Sequence, residues 1–291
     1  MNVQSLSICV PASCPNNCKF CVAHMHKEDY VNQIEKNKRF RDLYKEDFKK
    51  RLLFARDNGC NTVILTGNGE PLMNQKFLED FGEWNKNLPH PFYWVEIQTS
   101  GVLLNDEYLR FLRNSVGVTT ISLSLSSIFN DEKNFEYNET PEKLRFDLAK
   151  LCSEIKRYDF NLRLSLNMTD EYDEKSAEEI FDRLKELNAD QVTFRVLYKS
   201  SENPNSPQNK WIEEHGCLNS VISKINKYIK NNGQKLELLP FGAMRYAVRD
   251  ISTVVDDDCM NTEIKDTLKY LVLRPDCKLY TKWDSKGSIL F

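Results

Sequence analysis

The chain has 291 residues, of which 41% are hydrophobic and 29% are charged, enough for one sizeable core or for one domain with an appendage. Its formal net charge of −3 argues against the strongly basic surface of a nucleic-acid-binding protein. No apolar run approaches the ~20 residues of a membrane-spanning helix and no targeting segment is recognisable, so we expect a cytoplasmic protein without a membrane partner.

Strand-like and helix-like segments alternate along the first 234 residues. The predicted strands are 5–10, 62–66, 93–99, 118–125, 161–168 and 191–197. Three helices are predicted by range, at 44–58, 176–187 and 211–230. Three more are predicted by a local feature: one carries Phe77, Phe81 and Trp84, one is capped by Asn105, and one begins at Thr140-Pro141. Six such repeats predict an α/β fold with a parallel sheet and right-handed crossovers.

After residue 234 the pattern changes to short strand-like segments separated by turns. These segments are 236–239, 245–248, 251–255, 270–274 and 278–281. The sequence Arg274-Pro275-Asp276-Cys277 between the last two is typical of a β-hairpin turn. We therefore expect a core domain of residues 1–234 and a β-rich C-terminal extension of residues 235–291 that caps it.

Three closely spaced cysteines, Cys14, Cys18 and Cys21, form a C-x3-C-x2-C pattern after the first predicted strand. Iron–sulfur clusters are normally held by cysteine thiolates. Because three ligands leave one iron of a four-iron cluster uncapped, the pattern favours a cluster that binds a substrate or cofactor.

Two other interpretations of these cysteines remain open. A zinc site would need a fourth ligand, for which His24 or His26 is available, although structural zinc sites commonly combine two cysteine pairs and no second pair exists here. A disulfide framework is disfavoured, because the chain has nine cysteines and is large enough to fold without them. We interpret Cys9, Cys60 and Cys152 as buried small hydrophobic residues.

A second motif, Gly67-Asn68-Gly69-Glu70-Pro71, follows the second predicted strand. In parallel β/α folds, functional groups gather at the carboxyl ends of strands. Glycine allows a ligand to approach the backbone closely, and the Glu70 carboxylate can accept hydrogen bonds from an ammonium group. Alone, this motif could also be an ordinary glycine-rich turn.

Phe20 stands directly before the third cysteine of the cysteine pattern. This pattern and the G-x-G-E-P motif together resemble the radical S-adenosylmethionine (SAM) superfamily. The resemblance implies a partial (β/α)6 TIM-like barrel, one 4Fe-4S cluster on Cys14, Cys18 and Cys21, and SAM on the uncapped iron. It further implies an enzyme that cleaves SAM reductively to a 5′-deoxyadenosyl radical, which abstracts hydrogen from a substrate. An electron donor of the flavodoxin or ferredoxin type would be a partner.

The same resemblance implies that residues at several strand ends bind SAM. The implied SAM-binding residues are Phe20, Gly67, Asn68, Gly69, Glu70, Pro71, Thr99, Ser124, Asn167 and Arg195. Glu70 would bind the amino group of SAM, and Ser124 or Arg195 its carboxylate. Two alternatives stay open: a Ser124 hydroxyl that is satisfied within its strand, and an outward salt bridge for Arg195.

The substrate is expected to be a small molecule or a peptide, and nucleic acid is disfavoured by the acidic charge balance. Long loops at 127–140 and 198–210 should close the active site. Tyr198 and Trp211 are candidates for its lining, although Trp211 may instead anchor the following helix.

The hairpin near Cys277 is similar to radical SAM enzymes of the molybdopterin-biosynthesis-like and SPASM/twitch-related subgroup. Those proteins carry three or more clustered cysteines there, whereas this chain has only Cys259 and Cys277, so we expect no auxiliary cluster. Two alternatives to this function remain: a non-enzymatic iron–sulfur or zinc-binding sensor module, and an activating enzyme that acts on a partner protein.

Overall fold

The computed structural model of the protein describes residues 2–25, 27–201, 203–239, 243–256, 263–264, 267–283 and 285–291. Within these ranges, no helix has both the length and the apolar composition needed to cross a bilayer.

The helices and strands largely alternate, as the sequence predicts. The helices are α1 (Val22–Met25), α2 (Lys27–Arg39), α3 (Arg41–Asp57), α4 (Gln75–Lys86), α5 (Asp106–Phe111), α6 (Asp131–Tyr137), α7 (Leu148–Arg157), α8 (Ala177–Glu186), α9 (Pro207–His215) and α10 (Asn219–Asn232). The strands are β1 (Asn2–Cys9), β2 (Thr62–Thr66), β3 (Trp94–Thr99), β4 (Thr120–Leu125), β5 (Asn161–Asn167), β6 (Gln191–Arg195), β7 (Gln234–Leu238), β8 (Met244–Val248), β9 (Ile251–Asp256), β10 (Glu263–Ile264), β11 (Thr267–Leu273) and β12 (Leu279–Tyr280).

All of these strands belong to one sheet. Strands β1 to β6 lie side by side in chain order and are parallel, which confirms the α/β class and the partial barrel. The C-terminal region adds a parallel strand at each edge, β11 beside β1 and β9 beside β6. The remaining short strands pair antiparallel beyond these two. Strands from both predicted parts of the chain therefore share the sheet, and the division at residue 234 stays a prediction.

The two faces of the sheet differ in polarity because successive side chains of a strand point to opposite sides. In β3, Val95 and Ile97 are buried in the hydrophobic core that includes side chains of the surrounding helices. Glu96 and Gln98, the alternate residues, line the interior of the barrel. The polar inner face gives the barrel an interior suited to polar ligands rather than a dry core.

The prediction of a single helix for 211–230 is wrong, because one helix ends at His215 and a second begins at Asn219. The Cys217 N–H donates to the Met168 carbonyl at 3.0 Å, and the Leu218 N–H donates to the Asp173 carboxylate at 2.8 Å. These bonds tie the linker between α9 and α10 to the segment after β5. Long-range contacts thus override a continuous helical pattern.

The helix predicted to begin at Thr140-Pro141 begins later. Pro141 precedes only a short 3-10 turn, Glu142–Leu144. The α-helix α7 starts at Leu148, where the Asp147 side chain accepts a hydrogen bond from the Lys150 N–H at 2.8 Å. An aspartate that caps the helix therefore determines its start, as N-cap residues commonly do.

Several local predictions are confirmed. Asn105 caps α5 by accepting a hydrogen bond from the Tyr108 N–H at 2.8 Å. The turn after Arg274 joins β11 to β12 as an antiparallel hairpin. Cys9, Cys60 and Cys152 are buried, as expected for small hydrophobic residues. Cys277 is buried too, and Cys259 lies outside the described residues.

Candidate active site

A cavity of about 560 Å³ extends from the carboxyl ends of the parallel strands into the barrel. This volume lies within the range of small-molecule and cofactor sites, ~300–1,000 Å³. The loop after β1, the loop after β2, inward-facing strand residues and the C-terminal segment all contribute to its wall. The two sequence motifs therefore meet at one site.

The cysteine loop forms one end of this cavity, where Cys14, Cys18 and Cys21 all contribute to the wall. Its backbone is held by hydrogen bonds to the C-terminal end of α6, from the Asn17 N–H to the Asn138 carbonyl at 3.2 Å and from the Lys19 N–H to the Tyr137 carbonyl at 3.0 Å. The thiols are thus presented from an anchored loop.

The thiols lie in surroundings that oppose negative charge. Burial, with a contribution from Glu70 and Cys21, raises the pKa of the Cys14 thiol to about 11. Burial and the two neighbouring thiols raise the pKa of Cys18, and burial raises that of Cys21. A coordinated metal deprotonates a thiol and supplies the missing positive charge. Three thiols in one cavity wall are of the ligand type that holds iron–sulfur clusters.

Asn16 lies between the first two cysteines and also lines the cavity. Its side chain is buried, and neither its amide nitrogen nor its oxygen has a hydrogen-bond partner among the described residues. Since buried polar groups in native proteins are almost always paired, such an orphan calls for a ligand. His24 contributes to the same wall, whereas His26 lies outside the described residues.

Glu70 is 2% exposed and lines the cavity. Its carboxylate accepts hydrogen bonds from the Thr99 hydroxyl at 2.7 Å, from the Ser100 N–H at 2.9 Å and hydroxyl at 2.7 Å, and from the Leu72 N–H at 3.3 Å. Burial nevertheless raises the pKa of Glu70. No cation among the described residues pairs with it, so its charge is available to a cationic ligand.

The glycines of the second motif allow this loop to pack directly on the cysteine loop. A Cβ atom on Gly69 would lie 2.1 Å from the Ala12 carbonyl oxygen, and Gly67 has a φ of +152°. The Glu70 N–H donates to the Ser13 carbonyl at 2.9 Å. The two loops are consequently held as one unit, with the thiols and the carboxylate facing the same space.

The four strand-end residues that the sequence singles out all line the cavity: Thr99, Ser124, Asn167 and Arg195. Thr99 is engaged with Glu70. The Arg195 side chain makes no ion pair with a described residue, and its buried Nε lacks a hydrogen-bond partner there. Asn68 and Pro71 also belong to the wall.

The structure places the two candidate substrate-binding residues, Tyr198 and Trp211, differently. Tyr198 lines the cavity, but Trp211 is not part of the lining among the described residues. The Trp211 ring instead packs on Phe20, with ring centroids 5.6 Å apart, and stacks on His215 at 4.7 Å. Trp211 thereby supports Phe20, which does line the cavity, and its role toward a substrate stays a prediction.

Two groups of wall residues were not predicted from the sequence. One is a network inside the barrel, in which Arg163 bonds to Glu96 and Gln191; the alternation of polar residues in the strands was a signal for it. The other group comes from the C-terminal region and includes Arg245, Lys269 and Trp283. No local pattern pointed to these, because their place in the wall depends on long-range pairing.

The chain is similar to known proteins in sequence and in fold. Residues 8–155, half of the chain, match the Radical SAM superfamily. An uncharacterized protein of Methanocaldococcus jannaschii is 30% identical over 189 residues, which cover 62% of this chain and 61% of that relative. The chain thus spans about three fifths of the length of the curated relative it matches.

Two solved structures show a similar fold. One is anSMEcpe with bound AdoMet and the Kp18Cys peptide, with a TM-score of 0.57 and 16% identity over 99% of this chain and 77% of that chain. The other is coproporphyrinogen III oxidase from Escherichia coli, described as a radical SAM enzyme, with a TM-score of 0.53 and 14% identity over 89% of this chain and 57% of that chain. At these identities the similarity concerns the fold.

Proposed function

Because this chain belongs to the radical SAM superfamily and is an enzyme of that kind, we propose that Cys14, Cys18 and Cys21 hold one 4Fe-4S cluster and that the cavity binds SAM beside it. When bound, the cluster supplies the electron that cleaves SAM to a 5′-deoxyadenosyl radical, which takes a hydrogen atom from the substrate.

One observation carries this proposal: the three thiols and the Glu70 carboxylate line the same cavity on two loops that hydrogen-bond to each other. The thiols are the ligand type of iron–sulfur clusters. A buried carboxylate without a cationic partner is the complement of an ammonium group. SAM combines an ammonium group with a carboxylate, and both features have candidate partners in this wall.

Several residues of the wall have a proposed part in binding SAM. Glu70, positioned by Thr99 and Ser100, accepts hydrogen bonds from the SAM ammonium group. Arg195, with its unpaired buried Nε, is the partner of the SAM carboxylate. Ser124, which lines the same wall, would bind the SAM carboxylate or ribose, and Asn167 would bind the ribose or adenine.

The other loop residues of the wall complete this site. Phe20, supported by Trp211, presents an apolar ring beside the third cysteine. The backbone of Gly67, Asn68 and Gly69 borders the cavity, and Pro71 begins the 3-10 turn that Glu70 caps. These features order the loop before any ligand arrives, which lowers the entropic cost of binding.

We further propose that the electron comes from a flavodoxin- or ferredoxin-like protein and that the substrate is a small molecule or a peptide. The barrel interior is polar, with Glu96, Gln98, Arg163 and Gln191 on its wall, which suits a substrate that offers hydrogen-bonding groups.

Formation of 5′-deoxyadenosine tests the proposal. Anaerobic protein would be reconstituted with iron and sulfide, reduced with dithionite and mixed with SAM, and the product measured by chromatography. We expect wild-type protein to form 5′-deoxyadenosine and Cys18→Ala to form none. Cys217→Ala, which changes a cysteine outside the cavity wall, is the matched control and should behave as wild type.

Two results would contradict the proposal. A protein that carries a full cluster but forms no 5′-deoxyadenosine would exclude the radical reaction. Anaerobic protein that contains zinc and no iron would favour the sensor or zinc-binding module instead.

A further inference from the structure

The C-terminal strands form a wall of the cavity that the SAM-binding motifs do not reach. Arg245 of β8, Asp256 of β9, and Lys269 of β11 line this side, together with Trp283. These residues lie outside the region that matches the superfamily, residues 8–155. We call them the C-terminal wall.

Arg245 is the residue of this wall with an unmet hydrogen-bonding capacity. Its Nη1 pairs with Glu237 at 3.3 Å on the neighbouring strand β7. Its Nε is buried and has no hydrogen-bond partner among the described residues. Arg245 therefore lines the cavity with Nη1 paired and with its Nε–H donor unpaired.

The carboxylates of the cavity wall do not supply the missing acceptor. Glu96 is paired with Arg163, and Asp256 is paired with Lys269 at 3.5 Å. Glu70 is surrounded by neutral donors near the cysteines. Glu96 and Asp256 are therefore paired and Glu70 is held near the cysteines, which leaves a ligand as the source of an acceptor for Arg245.

We propose that the substrate carries an anionic group, a carboxylate or a phosphate, that binds Arg245 in the C-terminal wall. A guanidinium is planar, remains charged, and presents a fork of donors that matches the oxygens of both groups. The inference rests on the proposed function, since it places the substrate beside the SAM site, and it assigns substrate selection to the C-terminal strands.

Calorimetric titration of the reconstituted, SAM-loaded protein with inorganic phosphate and, separately, with succinate tests this site. We expect at least one of the two to bind wild-type protein, and Arg245→Gln to weaken that binding about tenfold or more. Binding of phosphate alone identifies a phosphate ester as the substrate class, and binding of succinate alone identifies a carboxylic acid.

Two further variants sharpen the result. Arg113→Gln, which removes an arginine paired with Asp159 outside the cavity, should bind the probes as wild type does. Arg245→Lys keeps the charge without the planar fork and should bind with intermediate affinity. Circular dichroism melting of each variant checks that the fold is retained.

The inference is overturned if neither probe binds, or if Arg245→Gln binds the probes as tightly as wild-type protein. Formation of 5′-deoxyadenosine by wild-type protein and by Arg113→Gln is measured on the same samples, so that the proposed function and the anion site are tested separately. If probe binding depends on Arg245 but the protein forms no 5′-deoxyadenosine, the proposed function is contradicted and the anion site is supported.

Discussion

Glu70 is a buried carboxylate surrounded by four hydrogen-bond donors from Leu72, Thr99 and Ser100. These donors hold the side chain in one orientation, yet burial raises its pKa because no positive charge lies beside it. Desolvation opposes the ionised form until a cation arrives. At the scale of the residue, these properties suit the ammonium partner that we propose for Glu70.

Glu70→Gln should weaken SAM binding by at least about tenfold, because a charge-assisted hydrogen bond is worth roughly 1.5–3 kcal/mol. The amide keeps one oxygen that can accept from Thr99, but its NH2 group cannot accept the hydrogen bonds from Ser100, so circular dichroism melting checks that the fold is retained. Equilibrium dialysis with SAM measures the change, and Glu79→Gln, on the exposed side of α4, is the matched control. An unchanged SAM affinity in Glu70→Gln would refute the assigned role.

Asn16→Leu should leave the metal-free protein at least as stable as wild type, because it removes a buried amide without partners. It should also lower the yield of 5′-deoxyadenosine, since the amide faces the ligand space. Asn85→Leu is the control: Asn85 is buried but bonded to the backbone of Phe92, and its loss should cost about 1–3 kcal/mol.

Urea unfolding of the metal-free proteins distinguishes these two asparagines. Equal destabilisation in Asn16→Leu and Asn85→Leu would mean that Asn16 has an ordinary structural role.

The residues that could be predicted are those that belong to short motifs. Cys14 and Glu70 each belong to a short motif, and the two motifs together carried the resemblance that implied their roles. Arg245 could not be found in this way, because its place in the cavity wall depends on a strand pairing that joins distant parts of the chain.

At the scale of the element, the decisive contact is the one between two loops. Gly69 lets the loop after β2 pass within van der Waals reach of Ala12 in the cysteine loop. The Glu70 N–H then bonds to Ser13. The relative position of the thiols and the carboxylate follows from this close backbone approach.

Gly69→Ala should lower the rate of 5′-deoxyadenosine formation at least about tenfold, because a displacement of about 1 Å between reacting groups can cost a hundredfold. The added Cβ would lie 2.1 Å from the Ala12 oxygen, so the loops must separate. Gly287→Ala is the control, since its nearest neighbouring atom would be 3.8 Å away. Wild-type activity in Gly69→Ala would show that loop spacing does not matter.

Element boundaries were predictable where a local cap or turn determines them. Asn105 and the hairpin turn after Arg274 are such cases. The break between α9 and α10 was missed, because it depends on bonds from Cys217 and Leu218 to the segment after β5. Local periodicity carries no information about such partners.

At the scale of the whole molecule, the C-terminal region completes the barrel wall. Strand β11 lies beside β1 and β9 beside β6, so the two edges of the parallel sheet come from one C-terminal segment. The ion pair between Lys269 of β11 and Asp256 of β9, at 3.5 Å, joins these two edges. The prediction of six repeats could not include these strands, because parallel pairing between chain ends leaves no local signal.

Asp256→Asn should lower the free energy of unfolding by about 1–3 kcal/mol, because both members of the Lys269 pair are largely buried. The double variant Lys269→Met with Asp256→Leu should recover much of that loss, since apolar pairs often replace buried ion pairs without cost. Urea unfolding measures both.

The control for this prediction is Asp159→Asn, which breaks an exposed pair with Arg113. It should change the free energy of unfolding by less than about 0.5 kcal/mol. Equal effects of Asp159→Asn and Asp256→Asn would mean that the ion pair does not help to close the barrel.

Electron paramagnetic resonance of the reconstituted, dithionite-reduced protein tests the central claim most directly. We predict a reduced 4Fe-4S spectrum that changes when SAM is added, because a cluster held by Cys14, Cys18 and Cys21 would leave one iron open to the cofactor. We also predict that Cys18→Ala loses this spectrum. A cluster spectrum that is indifferent to SAM would contradict the account.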